Sequence, residues 1–259
     1  MANGDPEYRA VRRDGVLRVA RRGTEWLSSG WNGGRRTADV AYNVSVPDGW
    51  DRTDLSAYVA ARLERAGFGS NGDERDAPVL LTGVDLEHAR GSRCGSVTAY
   101  ATAGLSNPAA LPMDPDGGTL PDSVTDDGPA DEPSPDPLGT VNLVVGTTRA
   151  LASGALANLL AVAAEAKAAT LLSTTGFPGT TTDAIAVGHA PDGRASTFSG
   201  SATPVGAATR ACVRDAVTAS LRSRYEDADG YPASVAEATY GVSTDVEARV
   251  FRPPIERDS

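Results

Sequence analysis

Lysine is nearly missing from this chain. Among 259 residues there is one, Lys167, and every other basic side chain is an arginine. Acidic residues outnumber basic ones by 34 to 24, for a formal charge of −10. A chain with that balance has little with which to neutralise phosphates, so nucleic acid is not an expected partner. Histidine and cysteine are equally scarce, at two each. His88 stands in the polar run DLEHARG and His189 closes an apolar run, both read as surface or structural histidines. There is no G-x-S-x-G elbow, and no histidine lies in the motifs described below, so a Ser–His–Asp hydrolase is not indicated. Cys94 and Cys212 have no paired spacing and no histidine cluster beside them, which supports neither a disulfide framework nor a zinc site. Aromatics make up 5% of the chain, so the core has to be built from small aliphatic side chains. The first residues, MANGDPEYRAVRRDG, contain no apolar leader. The longest uncharged helical stretch, Ala150–Ala164, is short and alanine-rich for a bilayer span. The expectation is a soluble, cytoplasmic chain with no membrane partner.

The acidic, lysine-poor composition reads as the solvation of a salt-adapted protein. Self-repulsion at this charge is screened only at high ionic strength, so the chain is expected to need salt to stay folded.

Strands are expected at 16–20, 39–46, 77–84, 95–104, 138–148 and 184–190, from alternating or continuous apolar runs. Helices are expected over TDLSAYVAARLERAG, capped by Thr53 or Asp54 and closed by Gly67, and over 149–176 with Ser153 as cap. A third, at 203–227, has Pro204 at or just before its first turn. Residues 112–137 are Pro, Asp and Gly with almost nothing apolar, and read as a disordered acidic insertion. The flanking strands belong together, so residues 1–259 are taken as one domain. The fold class is α/β or α+β: a layered single domain with a mixed sheet and long helices packed on it.

Three stretches carry polar groups beyond what a turn needs. SSGWNGGR, from Ser28, offers glycines that let backbone N–H groups approach a ligand, and it also reads as a plain tight turn. EAKAA sets Glu165 and Lys167 two residues apart, on different faces of one helix. Lys167 falls on the side of Leu156 and Leu160 and so points toward the core or a pocket; Glu165 reads equally as a solvated residue. Where arginine is otherwise universal, a lone lysine marks a place for a compact ammonium. FPGTTTD, residues 177–183, puts three hydroxyls and a carboxylate before an apolar strand. Asp183 is there either a turn cap or a general base beside threonine hydroxyls.

The succession LSSGWNGG, TAYATAGLSNP, GTVNLVV, ALASGALANLLAVAAEAKAATL and GTTTDAIAV resembles the adenosylcobinamide amidohydrolase family. The likeness spans most of residues 16–222 and is densest at 96–107 and 139–188. Where the family favours T-G-T-G-T-D, this chain keeps Gly179, Thr180, Thr182 and Asp183 and has Thr181 in place of a glycine. The resemblance implies hydrolysis of the amide that joins the corrinoid's propionate side chain to aminopropanol, yielding adenosylcobyric acid and 1-amino-2-propanol. The corrinoid is then the substrate, with no cofactor and no metal site expected. A corrin rim fringed with amides needs many neutral partners. Ser28, Ser29, Asn32, Thr102, Ser106, Asn107, Thr140 and Asn142 would supply them, with Gly33, Gly34 and Gly104 admitting close backbone approach. For catalysis, Asp183 or Glu165 would be the base. Lys167 or the GTTTD N–H groups would hold the oxyanion, and the attack would come from Thr180, Thr182 or water.

Overall fold

The computed structural model describes residues 7–47, 54–69, 76–120, 139–226, 230–238 and 240–253. The chain opens with β1 (Arg9–Arg13), β2 (Val16–Ser28) and β3 (Gly34–Ser45). Asp14 (φ 49°) and Gly15 (φ 69°) make the tight turn between the first two, the pairing that a two-residue hairpin demands. Helix α1 (Leu55–Arg65) starts on Asp54, whose carboxylate accepts the Ala57 N–H at 2.9 Å, and stops before Gly67 at φ 69°. After it come β4 (Val79–Thr82), β5 (Arg90–Cys94), β6 (Val97–Ala103), β7 (Pro108–Ala110) and β8 (Val141–Leu151). Then follow α2 (Ser153–Thr175), β9 (Gly179–Thr180), β10 (Ala184–Ser196), α3 (Pro204–Arg224) and β11 (Val242–Ser243).

The large mixed sheet runs β4-β3-β2-β10-β8-β6-β5, with β1 also paired to β2. Its middle is the parallel pair β8 and β10, joined by α2 as a crossover. β7, β9 and β11 form a small second sheet. The strands alternate between two cores. Val141, Leu143, Val145, Ile185 and Val187 face α2 and α3, meeting Leu156, Leu159, Val213 and Val217. Val144, Ala184 and Ala186 face the other way, against Trp26, Val79 and α1 residues Tyr58, Val59 and Leu63. The sheet coils enough that the Asn43 amide of β3 donates to the Thr102 hydroxyl of β6 at 2.9 Å, with β2, β10 and β8 between those strands in the ladder.

The expected mixed α/β layering is therefore the architecture found. Two local readings are corrected. Helix α2 has Ala152 at its N-cap with no side-chain hydrogen bond, so Ser153 is its first residue and not its cap. Its 23 residues are also long and apolar enough to cross a bilayer, against the expectation from 150–164. Half of its most apolar window is buried against the rest of the chain, so its apolarity serves the core. Of the expected acidic insertion, 121–137 lie outside the described residues. Gly118, in its first part, pairs with Val246, and its N–H donates to Asp245 O at 2.7 Å.

Candidate active site

β8 and β10 run parallel, so both begin at one edge of the sheet, and β6 ends there. Three segments meet at that edge: 104–107 after β6, 139–142 at the start of β8, and 179–183 before β10. Lys167 comes from α2, above them. Asp183 is the hub. Its Oδ1 accepts the Val141 N–H at 2.8 Å and the Thr180 hydroxyl at 2.5 Å. Its Oδ2 accepts the Thr180 N–H at 3.1 Å and the Lys167 ammonium. Both charged side chains are only 11% exposed. A carboxylate has about four acceptor positions, and all four are taken. Asp183 therefore has no vacant lone pair with which to activate a free water. The hydroxyl proton facing it belongs to Thr180.

Gly179 is required by the same packing. A Cβ there would stand 2.6 Å from Asp183 Oδ2 and 3.1 Å from Lys167 Nζ. Thr181 and Thr182 look away from the ion pair. The Asn107 side-chain amide donates to Thr181 Oγ1 at 2.5 Å and to Thr182 Oγ1 at 3.4 Å, and the Asn107 backbone carbonyl accepts the Thr181 N–H at 3.2 Å. Thr182 Oγ1 also lies 3.2 Å from Thr140 Oγ1. Ser106 Oγ accepts the Gly139 N–H, which binds the 104–107 loop to the start of β8. A Cβ on Gly104 would meet Val84 Cγ2 at 2.7 Å, so that glycine serves packing.

The remaining residues singled out in the sequence divide into two groups. Ser29 reaches the site edge: its Oγ accepts the Ile185 N–H at 3.0 Å, tying the end of β2 to β10. Ser28 Oγ accepts the Gly30 N–H at 3.0 Å. Asn32 donates to Ala77 O at 2.7 Å and accepts the Val79 N–H at 2.9 Å, fixing the loop to β4. Gly33 and Gly34 shape that turn, Gly34 at φ 92°. Thr102 and Asn142 are buried, at 0% and 1% exposure, in an internal polar cluster. Asn142 donates to Asn43 Oδ1 at 3.0 Å and Leu81 O at 2.8 Å, and accepts the Ala184 N–H at 3.1 Å. They support the strands that carry the site and present nothing to solvent. Glu165 stands apart. It pairs with Arg210 of α3 and is 58% exposed, because two residues along a helix turn it away from the face that carries Lys167.

His189 is 6% exposed at its side chain. Its Nδ1 accepts the Leu151 N–H at 3.1 Å, and Nε2 faces Glu25 at 3.4 Å. Burial lowers its pKa, consistent with a neutral ring that joins β10 to the end of β8. Two contributors were not read from the sequence. Asn43 is a lone amide inside the apolar strand DVAYNVSV, which was the available signal. The Tyr225 hydroxyl, which accepts the Leu105 N–H at 2.8 Å, had none. Among the described residues no cluster of three or more His, Cys, Asp or Glu could hold a metal.

The arrangement is a buried Thr–Asp–Lys unit under a loop of hydroxyls and amides, and known proteins share its sequence frame. The family model described as adenosylcobinamide amidohydrolase matches residues 2–229. A curated adenosylcobinamide amidohydrolase of Halobacterium salinarum is 59% identical over 246 residues, covering 95% of this chain and 100% of the relative. Another, from Methanosarcina mazei, is 26% identical over 166 residues, covering 64% of this chain and 69% of that protein. Among solved structures, the PH0078 protein of Pyrococcus horikoshii OT3 covers 85% of this chain and 82% of its own at 10% identity and a TM-score of 0.39, too distant to bear on the argument. The resemblance seen in the separated motifs thus extends over nearly the whole sequence, and the chain belongs to the adenosylcobinamide amidohydrolase family.

Proposed function

We propose that this chain hydrolyses adenosylcobinamide at the amide between its propionate side chain and aminopropanol, releasing adenosylcobyric acid and 1-amino-2-propanol for corrinoid salvage. The family match and the 59% identical relative support the reaction. The contact that supports a mechanism is the 2.5 Å hydrogen bond from the Thr180 hydroxyl to Asp183.

Thr180 Oγ attacks the amide carbonyl as its proton passes to Asp183. Lys167, on the other carboxylate oxygen, fixes the Asp183 rotamer and places positive charge beside the forming alkoxide. Collapse of the tetrahedral intermediate sends the proton from Asp183 to the leaving nitrogen and frees 1-amino-2-propanol. Water then cleaves the Thr180 ester, its proton returning to the threonine oxygen. Free-water attack is disfavoured because every acceptor position of Asp183 is already filled. The exposed hydroxyls of Thr181 and Thr182, held from below by the buried Asn107 amide, are the groups we assign to the rim of the corrinoid.

The test is incubation with adenosylcobinamide in molar salt, read by mass spectrometry for adenosylcobyric acid. Thr180→Ala and Asp183→Asn are each expected to lower kcat by about a thousandfold or more, as loss of a nucleophile or its base does. Thr180→Ser should retain turnover. Full activity in Thr180→Ala would remove the covalent route and leave the reaction. No product from folded wild type would remove the reaction itself.

A further inference from the structure

The chain has only two cysteines, far apart in sequence, and the fold brings them to one interface. Both are free thiols; Cys94 is exposed and Cys212 is buried. Side chains on β5 alternate between two faces. Arg90 and Ser92 reach α3: Arg90 donates to Ser223 Oγ, and Ser92 Oγ donates to Cys212 O at 2.6 Å. Cys94 is next in that row, so its thiol lies on the α3 side. Its partner across the ladder on β6 is Val97, and the Cys212 sulfur lies 3.6 Å from Val97 O. Directly opposed residues in an antiparallel pair have Cα atoms about 4.5–5.5 Å apart. The Cys212 sulfur therefore rests against the residue that faces Cys94 across the ladder. The nearness also registers in titration: burial is the main cause that raises the Cys212 pKa, and the Cys94 thiol adds to it.

We propose that Cys94 and Cys212 form a reversible disulfide clasping edge strand β5 to α3. With oxidised glutathione as the oxidant, the exposed Cys94 thiolate attacks one glutathione sulfur and expels the first reduced glutathione. Cys212, as thiolate, then attacks Cys94 Sγ in the mixed disulfide and expels the second. Two protein thiols are oxidised, one glutathione disulfide is reduced, and the two protons leave with the two glutathione thiols. Burial makes Cys212 the slower partner and suits it to the resolving step. The clasp bears on the site's frame, because α3 and the residue after it supply the hydroxyls of Ser220 and Tyr225. These accept the N–H groups of Ala103 and Leu105 at 2.9 and 2.8 Å.

The test uses the folded full-length chain in molar salt, held with oxidised glutathione, then alkylated and weighed intact and as non-reduced peptides. The expected product is two hydrogens lighter than the reduced chain, takes no alkyl group, and yields one peptide pair joined through Cys94 and Cys212. Its melting temperature should exceed that of the reduced chain by about 10 °C, given the long loop that is closed. Cys212→Ser is expected to stop at a glutathione adduct on Cys94. A wild-type chain that keeps glutathione on Cys94 with Cys212 still alkylatable, or that shows no change of mass, overturns the proposal.

Discussion

Lys167 and Asp183 depend on each other more than either does on the substrate. The two charges are nearly removed from water, so removing one partner strands the other. Lys167→Met is expected to destabilise the fold by about 3–5 kcal/mol, seen as a lowered denaturant midpoint, and to abolish turnover. Lys167→Arg should fail as well, because a planar fork does not fit where Gly179 already lies against the ammonium. Gly179→Ala tests that contact by itself. The added methyl enters the space of Asp183 Oδ2, so a loss of about 1–3 kcal/mol and a large fall in kcat are expected. A variant as stable and active as wild type would mean that the pair is looser than described. His189 makes a separate statement about pH. Its folded pKa lies below the ordinary value because burial opposes the charge. The unfolded chain therefore binds the proton first as pH falls. Its contribution is whole above about pH 6.5, the unfolded value, and declines as pH drops toward the folded value. His189→Asn can still accept the Leu151 N–H and should flatten the melting-temperature slope between about pH 5 and 7. An unchanged slope would place the acid sensitivity elsewhere.

Among the elements, α2 carries both Lys167 and Glu165, the candidate base that stood second to Asp183. Glu165 and Arg210 tie α2 to α3 at the surface, and exposed pairs contribute little. Glu165→Ala is accordingly expected to cost less than about 1 kcal/mol and to leave kcat within a factor of two or so. A thousandfold loss would restore the catalytic reading. The helices were legible because their signals are local. Asp54, Pro204 and Gly67 act through the residues beside them, and the 3.6-residue pattern does the rest. The long strands β2, β3, β8 and β10 were legible as apolar runs, though β2 continues through Thr24–Ser28, which the glycines beyond it made look like turn. β1 and β5 were not seen. RAVRR and RGSRC carry arginines that lie along the surface while the backbone pairs, so neither has an apolar period, although Asp14–Gly15 was a usable hairpin signal. β7, β9 and β11 are two or three residues each, below the length at which a pattern exists. The site followed the same rule. Thr180, Asp183 and Lys167 stood out by composition. That Thr102 and Asn142 are turned inward was decided by the sheet coiling Asn43 onto them, a contact between strands that no local pattern encodes.

At the scale of the whole molecule the charge of −10 governs conditions more than chemistry. The Lys167–Asp183 pair balances its own charge, one ammonium against one carboxylate, so the excess lies elsewhere. Several exposed acids, including Asp114, Asp116 and Glu247, make no ion pair among the described residues. Repulsion among such groups acts over a Debye length of about 30 Å at 0.01 M salt and about 3 Å at 1 M. The folded chain concentrates that charge more than the unfolded chain does, so diluting the salt penalises folding. The melting temperature is expected to fall steadily as sodium chloride is lowered from about 2 M to 0.05 M, with activity lost in step. Salt also strengthens apolar burial, so the slope alone does not identify charge as its cause. Replacing Asp114, Asp116 and Glu247 together by lysine raises the formal charge by two at each position and leaves the apolar core untouched. If repulsion is the cause, the triple variant melts higher than wild type at low salt and the two curves converge at high salt, where screening has erased the difference. Parallel curves would assign the salt requirement to burial instead, and a wild-type melting temperature independent of salt would refute the requirement.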